Sequence, residues 1–317
     1  MSTQTSRLPG GGGTPRPPAP GGGTSKRLAR IDAAIGMVFV APVLIGAIVL
    51  GLVPFGYVVW YALHDWQPLT GQFTWVGSEN FTRLLSDGDV WGSLLTTFQF
   101  AALLMVLNVT LAMGLAILLN QKLPGTTTFR TFFFSPVIVS TVAWVLIWNF
   151  LVASNGGING VLATFGITGP NWLRDASLAL PTVVVIQVFK GVGMNMILFL
   201  AALQNVPSEL KEAARIDGAR ATRVFRSITL PLMTPTILLV TMLTMVGAMD
   251  VFAPIQILTE GGPGRSTTVI SYLLYRTAFV QQDFGYASAI GVLLFFVMLG
   301  LAVLQWSTRK RWVHDEV

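Results

Sequence analysis

Two sets of polar residues stand out in a chain of 317 residues that is 53% hydrophobic and only 11% charged. The first is crowded between Glu209 and Pro235. There Glu209, Lys211, Glu212, Arg215, Asp217, Arg220, Arg223 and Arg226 sit between two long apolar stretches, so this segment must lie in water. The second set is spread thinly through the apolar stretches themselves: Asn108, Asn149, Gln187, Lys190, Asn195, Asp250 and Gln256. A polar group in hydrocarbon is costly and tends to face an interior, a partner or a cavity. Neither set is arranged for covalent chemistry. Cysteine is absent, and the two histidines, His64 and His314, are far apart, so thiol chemistry and a His-based metal site are not expected. Paired carboxylates, a nucleophile elbow and G-x-x-x-x-G-K-[ST] are missing; G-G-G-T-S-K near the N-terminus has neither the spacing nor the setting of a phosphate loop. No catalytic residue, metal ligand or cofactor site is therefore assigned, and any use of ATP must come from another chain.

The crowded segment is regular enough to fold. Pro207-Ser208 is a helix start with Ser208 as N-cap, and Glu209 and Glu212 fall near the positive end of the dipole. Glu212 and Arg215 stand three apart, the spacing of a helical ion pair. Leu210, Ala213 and Ala214 leave a low-profile face, and Gly218 suits the point where the helix turns. A second helical run carries Arg220, Arg223 and Arg226 every third residue, among Val224, Phe225 and Ile228, until Pro231. The expected unit is a small helix-turn-helix shaped to dock.

The pattern E-A-A-x-x-x-G-x(9)-I-x-L-P is complete here, in Glu212, Ala213, Ala214, Gly218, Ile228, Leu230 and Pro231. It resembles the EAA loop of the binding-protein-dependent permeases of ABC importers. The resemblance implies that residues 208–231 form a coupling helix seated in the cleft of a separate ATPase. It implies that Glu212, Ala213, Ala214, Asp217, Gly218, Arg220, Leu230 and Pro231 carry the coupling, with Glu212 pairing with a basic group of that cleft. The turn Thr259-Glu260-Gly261-Gly262-Pro263 and the run F-F-F-S-P ending at Pro136 are similar to the carbohydrate-uptake class. Within it the turn resembles the first, maltose-type member of the permease pair. The likeness covers about residues 31–310, without that member's extra N-terminal spans and large external insertion. Its implied partners are a second homologous permease, an ATPase dimer binding ATP and Mg, an external solute-binding protein and membrane lipid.

These residues need a scaffold, and the apolar runs supply one. Residues 33–63, about 98–119, 131–153, 178–204, 236–258 and 285–307 are each long enough to cross a hydrocarbon core of about 30 Å. The expected fold is all-α, with six transmembrane helices and the charged loop between spans four and five. Residues 1–27 are Gly/Pro-rich and cannot bury a core, so a disordered tail is expected there. A membrane domain spans 28–312, its coupling loop 205–235, and 313–317 ends the chain. Pro42 and Pro54 predict kinks in the first span. Arg7, Arg16, Lys26, Arg27, Arg30, Lys122, Arg130, the five central cations, Arg309, Lys310 and Arg311 fall on the N-terminal side; only Arg83, Arg174, Arg265 and Arg276 fall opposite. By the positive-inside bias both termini and the central loop are cytoplasmic, in a bacterial-type inner membrane. Topology thus accounts for the net charge of +6, and nucleic acid is not implied.

Outside, Phe81, Leu84, Leu85, Val90 and Trp91 suggest an interfacial amphipathic helix, and residues 154–177 a loop dense in turns. Within the spans Asn149, Lys190, Asn195, Asp250 and Gln256 are candidates for a translocation cavity. Lys190 begins about 18 Å into its span and is expected to line that cavity or to pair with Asp250. Trp144, Trp148 and Phe189 offer flat apolar faces for the C–H face of a hydroxyl-bearing solute. A self-sufficient secondary transporter or channel would show matching broken helices and an ion relay; a plain membrane anchor would not need polar residues in its spans. The reading is a permease subunit that passes a sugar or polyol delivered by an external receptor.

Overall fold

The computed structural model describes residues 24–121 and 124–312. Most of the Gly/Pro-rich tail and the end at 313–317 lie outside the described residues. The chain divides after Tyr57. Up to there it is α1 (Thr24–Ala47), a π-helical turn (Ile48–Leu52) and the start of α2 (Val53–Ala62). Helix α1 starts inside the stretch assigned to the tail, at Thr24, where the Gly/Pro run has ended and the helix formers Lys26, Arg27 and Leu28 follow. Of the two expected kinks, the helix runs through Pro42 without a break, while a π turn stands just before Pro54. Pro54 has no N–H for the carbonyl of Leu50, and a widened turn absorbs the missing bond. Most large apolar side chains from Met37 to Leu50 are exposed, Phe39 at 78%.

From Val58 on, the order is β1 (His64–Gln67), β2 (Gln72–Trp75), α3 (Glu79–Ser86), α4 (Gly88–Leu119), α5 (Thr126–Ile138), α6 (Thr141–Val152), α7 (Gly157–Thr164) and α8 (Ala179–Asn205). There follow α9 (Ser208–Ile216), α10 (Ala221–Val224), α11 (Leu230–Leu232), α12 (Thr234–Met249), α13 (Ala253–Leu258), α14 (Ile270–Tyr275) and α15 (Phe284–Trp312). The centre is α4 against α8. Helix α4 buries Val90, Leu94, Thr97, Ala101, Leu104, Asn108, Ala112, Ala116 and Leu119, a stripe at three- and four-residue spacing, while Leu95, Leu103 and Val106 face outward. Helix α12 packs on α4 and also on α8, α5 on α8, α13 on α6, and α15 on α12 and α14. Gly193 admits α5 to α8: a Cβ there would overlap the carbonyl of Phe133.

Among the described residues, five helical segments are long and apolar enough to cross a membrane: Ile31–Ala62, Gly88–Leu119, Thr141–Thr164, Ala179–Asn205 and Phe284–Ser307. The pair Ala221–Leu232 and Thr234–Met249, bent by 65°, makes six when taken as one span. Two expected spans are corrected. The run 131–153 is cut at Val139-Ser140, because Ser140 turns extended and caps α6, its Oγ accepting from the Ala143 N–H at 3.3 Å. The segment long and apolar enough to cross starts at Thr141 instead, with α6 followed after a break by α7. The run 236–258 is broken between Met249 and Ala253, so Asp250 ends α12 rather than lying within a continuous helix.

The interfacial helix becomes two elements: Phe81, Leu84 and Leu85 lie on α3, and Val90 and Trp91 open α4. Before them stands an unforeseen hairpin, β1 antiparallel to β2 with His64 opposite Trp75. His64 is stacked on Phe73 at 4.3 Å. Arg83 joins α3 to the start of α15 through Asp283 at 2.8 Å and lies 3.8 Å above the Tyr286 ring.

Candidate functional site

The charged segment hangs from α8 at Val206, which is buried, and Pro207 in extended conformation turns the chain into α9. The N-cap is thus Pro207 and not Ser208: the proline occupies the extended position and Ser208 becomes the first helical residue. The helix ends as the glycine foretold. Gly218 has φ +82, its N–H bonds Arg215 O at 3.0 Å, and the Ala219 N–H bonds Ala214 O at 2.9 Å. That pair of bonds is the Schellman closure, which needs a left-handed residue at this place. No residue of α9 is buried. Leu210 and Ile216 are 44% and 86% exposed, an apolar edge on a helix otherwise covered with charge. The expected Glu212–Arg215 ion pair does not form. In water such a pair contributes about 0.3–0.5 kcal/mol, too little to hold two exposed side chains together, so the Glu212 carboxylate stays uncommitted.

Beyond Gly218 the chain re-enters helix at Arg220, widens into a π turn over Phe225–Thr229 and reaches Pro231. Pro231 lacks the donor for Ser227, which matches the widened turn. The motif therefore divides by place. Glu212, Ala213, Asp217, Gly218 and Arg220 are exposed and Ala214 is half-buried, at the tip. Leu230 and Pro231 are half-buried at the root, beside buried Met233 and the bend into α12, where Thr234 Oγ1 donates to Pro231 O at 2.6 Å.

In the spans the polar residues go to different places. Asn108 is buried and Asn195 half-buried; Asn195 Nδ2 donates to Asn108 Oδ1 at 2.6 Å and to Thr244 Oγ1 at 3.1 Å. Lys190 makes no ion pair with Asp250. Its Nζ donates to Val139 O at 2.7 Å and Pro136 O at 3.3 Å, the free carbonyls where α5 stops. A cation on those carbonyls meets the negative end of the α5 dipole, which an exposed Asp250 at the end of α12 cannot rival. Trp144, Trp148 and Phe189 do gather, with centroids 5.8–6.0 Å apart. The Trp144 indole N–H donates to Ile186 O at 3.2 Å, and its ring lies 5.9 Å from Lys190 Nζ. The side-chain oxygens of Gln187 and Gln256 are buried without a hydrogen-bond partner. Asn149 lines a cavity at the end of α6.

Thr244 and Gly193 were not singled out by sequence, although the run K-G-V-G-M-N carried the glycine signal. Among the described residues no group of three His, Cys, Asp or Glu is placed to hold a metal.

Residues 109–312 match the model of a family described as "Binding-protein-dependent transport system inner membrane component". The chain is 33% identical over 305 residues to the diacetylchitobiose uptake system permease protein of Streptomyces coelicolor, covering 92% of this chain and 86% of that protein. It is 33% identical over 277 residues to the trehalose/maltose transport system permease protein of Thermococcus litoralis, covering 86% and 92%. Among solved structures, a chain of a bacterial alginate ABC transporter, crystallised with an alginate pentasaccharide-bound periplasmic protein, superposes with a TM-score of 0.77. That match covers 92% of this chain and 99% of the other at 21% identity, which speaks to the fold alone.

Proposed function

This chain belongs to the binding-protein-dependent transport system inner-membrane component family, and from that membership we propose that it carries a sugar or related polyol through the membrane by levering its spans with α9 and α10. It is an ABC-importer permease subunit and not an enzyme. ATP and Mg are bound by a partner ATPase dimer, beside a second homologous permease and an external receptor. Both termini and the 205–235 loop face the cytoplasm, in line with the basic residues gathered there. Neutral sugars fit the names of the two relatives reported above, and the packed Trp144, Trp148 and Phe189 rings fit a solute with C–H faces.

The observation that carries this reading is α9 itself: a helix with no buried residue, an apolar edge at Leu210 and Ile216, and a carboxylate at Glu212 left without a partner. A surface of that kind serves docking. When the ATPases close, α9 moves as a body because its C-terminal closure at Gly218 is locked. Motion enters α8 directly and α12 through the bend at Met233. The cavity switches its open side by domain-scale gating. Asn149, Lys190, Asn195, Asp250 and Gln256 remain the proposed polar contributors to the pathway, with Lys190 and Asn195 acting by holding helices in place.

Purification of the tagged chain from native membrane tests the assembly. An ATPase and a second permease of similar span number should co-purify, and addition of sugar-loaded receptor should raise ATP hydrolysis. A chain that comes out alone and moves solute by itself would end this reading.

A further inference from the structure

A cavity of about 690 Å³ lies where α6 ends, beside the segment before α8 and the turn after α13. Its lining includes Asn149, Asn171, Trp172, Arg174, Glu260 and Pro263, and its volume is within the range of sites for small ligands. Both polar walls are braced. On one, Asn159 Nδ2 donates to Ser154 O at 3.0 Å and to Pro170 O at 3.2 Å, while its Oδ1 accepts from the Trp172 indole N–H at 2.8 Å. On the other, Thr267 Oγ1 donates to Gly262 O at 2.8 Å and Thr268 Oγ1 to Gly261 O at 2.9 Å, and Glu260 is held at φ 50. A non-glycine residue in that conformation is strained and persists because its surroundings impose it.

The cavity's own polar groups, by contrast, are not used up. Among the described residues, the amide of Asn149, the guanidinium of Arg174 and the carboxylate of Glu260 make no side-chain hydrogen bond or ion pair, and Asn171 spends only its oxygen, on Ser154. A carboxylate that accepts, a guanidinium and amides that donate, and a Trp ring in the same wall are the groups that take up hydroxyls and sugar C–H faces. The two formal charges cancel, which suits a neutral ligand and not an anionic one.

Place adds a second argument. The wall at Asn171–Arg174 leads into the start of α8, and the wall at Glu260–Pro263 follows from α12 and α13. The coupling segment joins the other ends of α8 and α12, about 40 Å away along α8. Movement of that segment therefore acts on both walls at once.

Resting on the transport reading above, we propose that this cavity is a waiting site at the outer mouth, which holds one end of a neutral di- or oligosaccharide and loosens when the coupling segment moves. Occupancy and nucleotide state are then linked, and each changes the affinity for the other by the same factor.

The chain has no cysteine, so an introduced thiol is the sole one it carries. In the complete importer, held in lipid discs without its receptor, Ala153→Cys places a thiol in the lining and Ala176→Cys an exposed one outside it. Labelling of this chain by a charged maleimide is read by mass. At about 10 mM, diacetylchitobiose or trehalose should slow labelling at 153 about threefold, as a millimolar site requires. Trigalacturonate should not, and labelling at 176 should not change with any of the three. Protection should vanish in Asn149→Leu and Glu260→Gln and weaken with a non-hydrolysable ATP analogue. Absence of protection, or protection that survives both substitutions, overturns the waiting site. If receptor-stimulated uptake persists in that case, the transport reading stands without it; if receptor stimulates neither uptake nor hydrolysis, the transport reading falls as well.

Discussion

Asn195 on α8 donates one amide to both Asn108 on α4, at 2.6 Å, and Thr244 on α12, at 3.1 Å. The two helices that flank the charged segment are thereby tied to each other and to the central α4. Asn108 passes the tie back to α8, its Nδ2 lying 3.4 Å from Val188 O. Asn195→Leu leaves the buried Asn108 oxygen without a donor and should cost about 0.6–1.7 kcal/mol, the range for bonds between membrane helices. Thr244→Val should cost less, since Asn195 keeps its shorter bond. Thermal unfolding of the purified complex checks the order, and an unchanged midpoint in Asn195→Leu contradicts the tie.

Lys190 acts as a brace on the end of α5. Lys190→Met should lower thermal stability and uptake together, while Lys190→Gln, which still donates, should recover part of both. A change in the uptake KM alone, with stability intact, would mean that Lys190 meets solute instead.

Gly193 and Gly114 make a matched pair of tests. A Cβ at Gly193 would meet the Phe133 carbonyl, whereas nothing lies within 4 Å of one at Gly114. Gly193→Ala should force α5 and α8 apart at a cost of about 1–3 kcal/mol. Gly114→Ala should be neutral or slightly stabilising, because alanine is the better helix former. Equal unfolding midpoints would refute the close packing.

The exposed edge of α9 makes its own prediction. Ile216→Asp removes nothing from the fold of this chain, since Ile216 is 86% exposed. It should leave expression and membrane insertion unchanged but weaken recovery of the ATPase on a tagged permease. Full recovery of the ATPase would show that this edge is not the contact.

The helix and turn of the charged segment were legible because they depend on local chemistry. Gly218 announces a left-handed residue, and clustered charge between apolar runs announces water. The breaks in the spans were not legible. Val139-Ser140 sits in a mainly apolar run, and besides the Ser140 cap the interruption has Lys190, fifty residues away, on the carbonyls it frees. The same distance hid the fate of Lys190, whose expected partner Asp250 lies at the end of another helix. Ser208 was displaced as cap by a single residue, because Pro207 already supplies the extended geometry. The hairpin His64–Trp75 was missed because its strands are short and its ring stacking depends on pairing across the turn. Which polar residues face a pathway depends on helix rotation, which periodicity without packing does not give.

Gly218 puts the lever to its most direct test. Nothing crowds the position, but φ +82 is open to glycine and tolerable to asparagine while leucine resists it at a cost of about 1–2 kcal/mol. Proteoliposomes holding the intact importer, with sugar-loaded receptor, give the sugar moved per ATP hydrolysed. Gly218→Leu should cut that ratio about tenfold with hydrolysis still running, and Gly218→Asn should restore it, as expected for a rigid element that passes on motion made elsewhere. A Gly218→Leu importer that moves sugar at the unaltered ratio would contradict coupling through this helix.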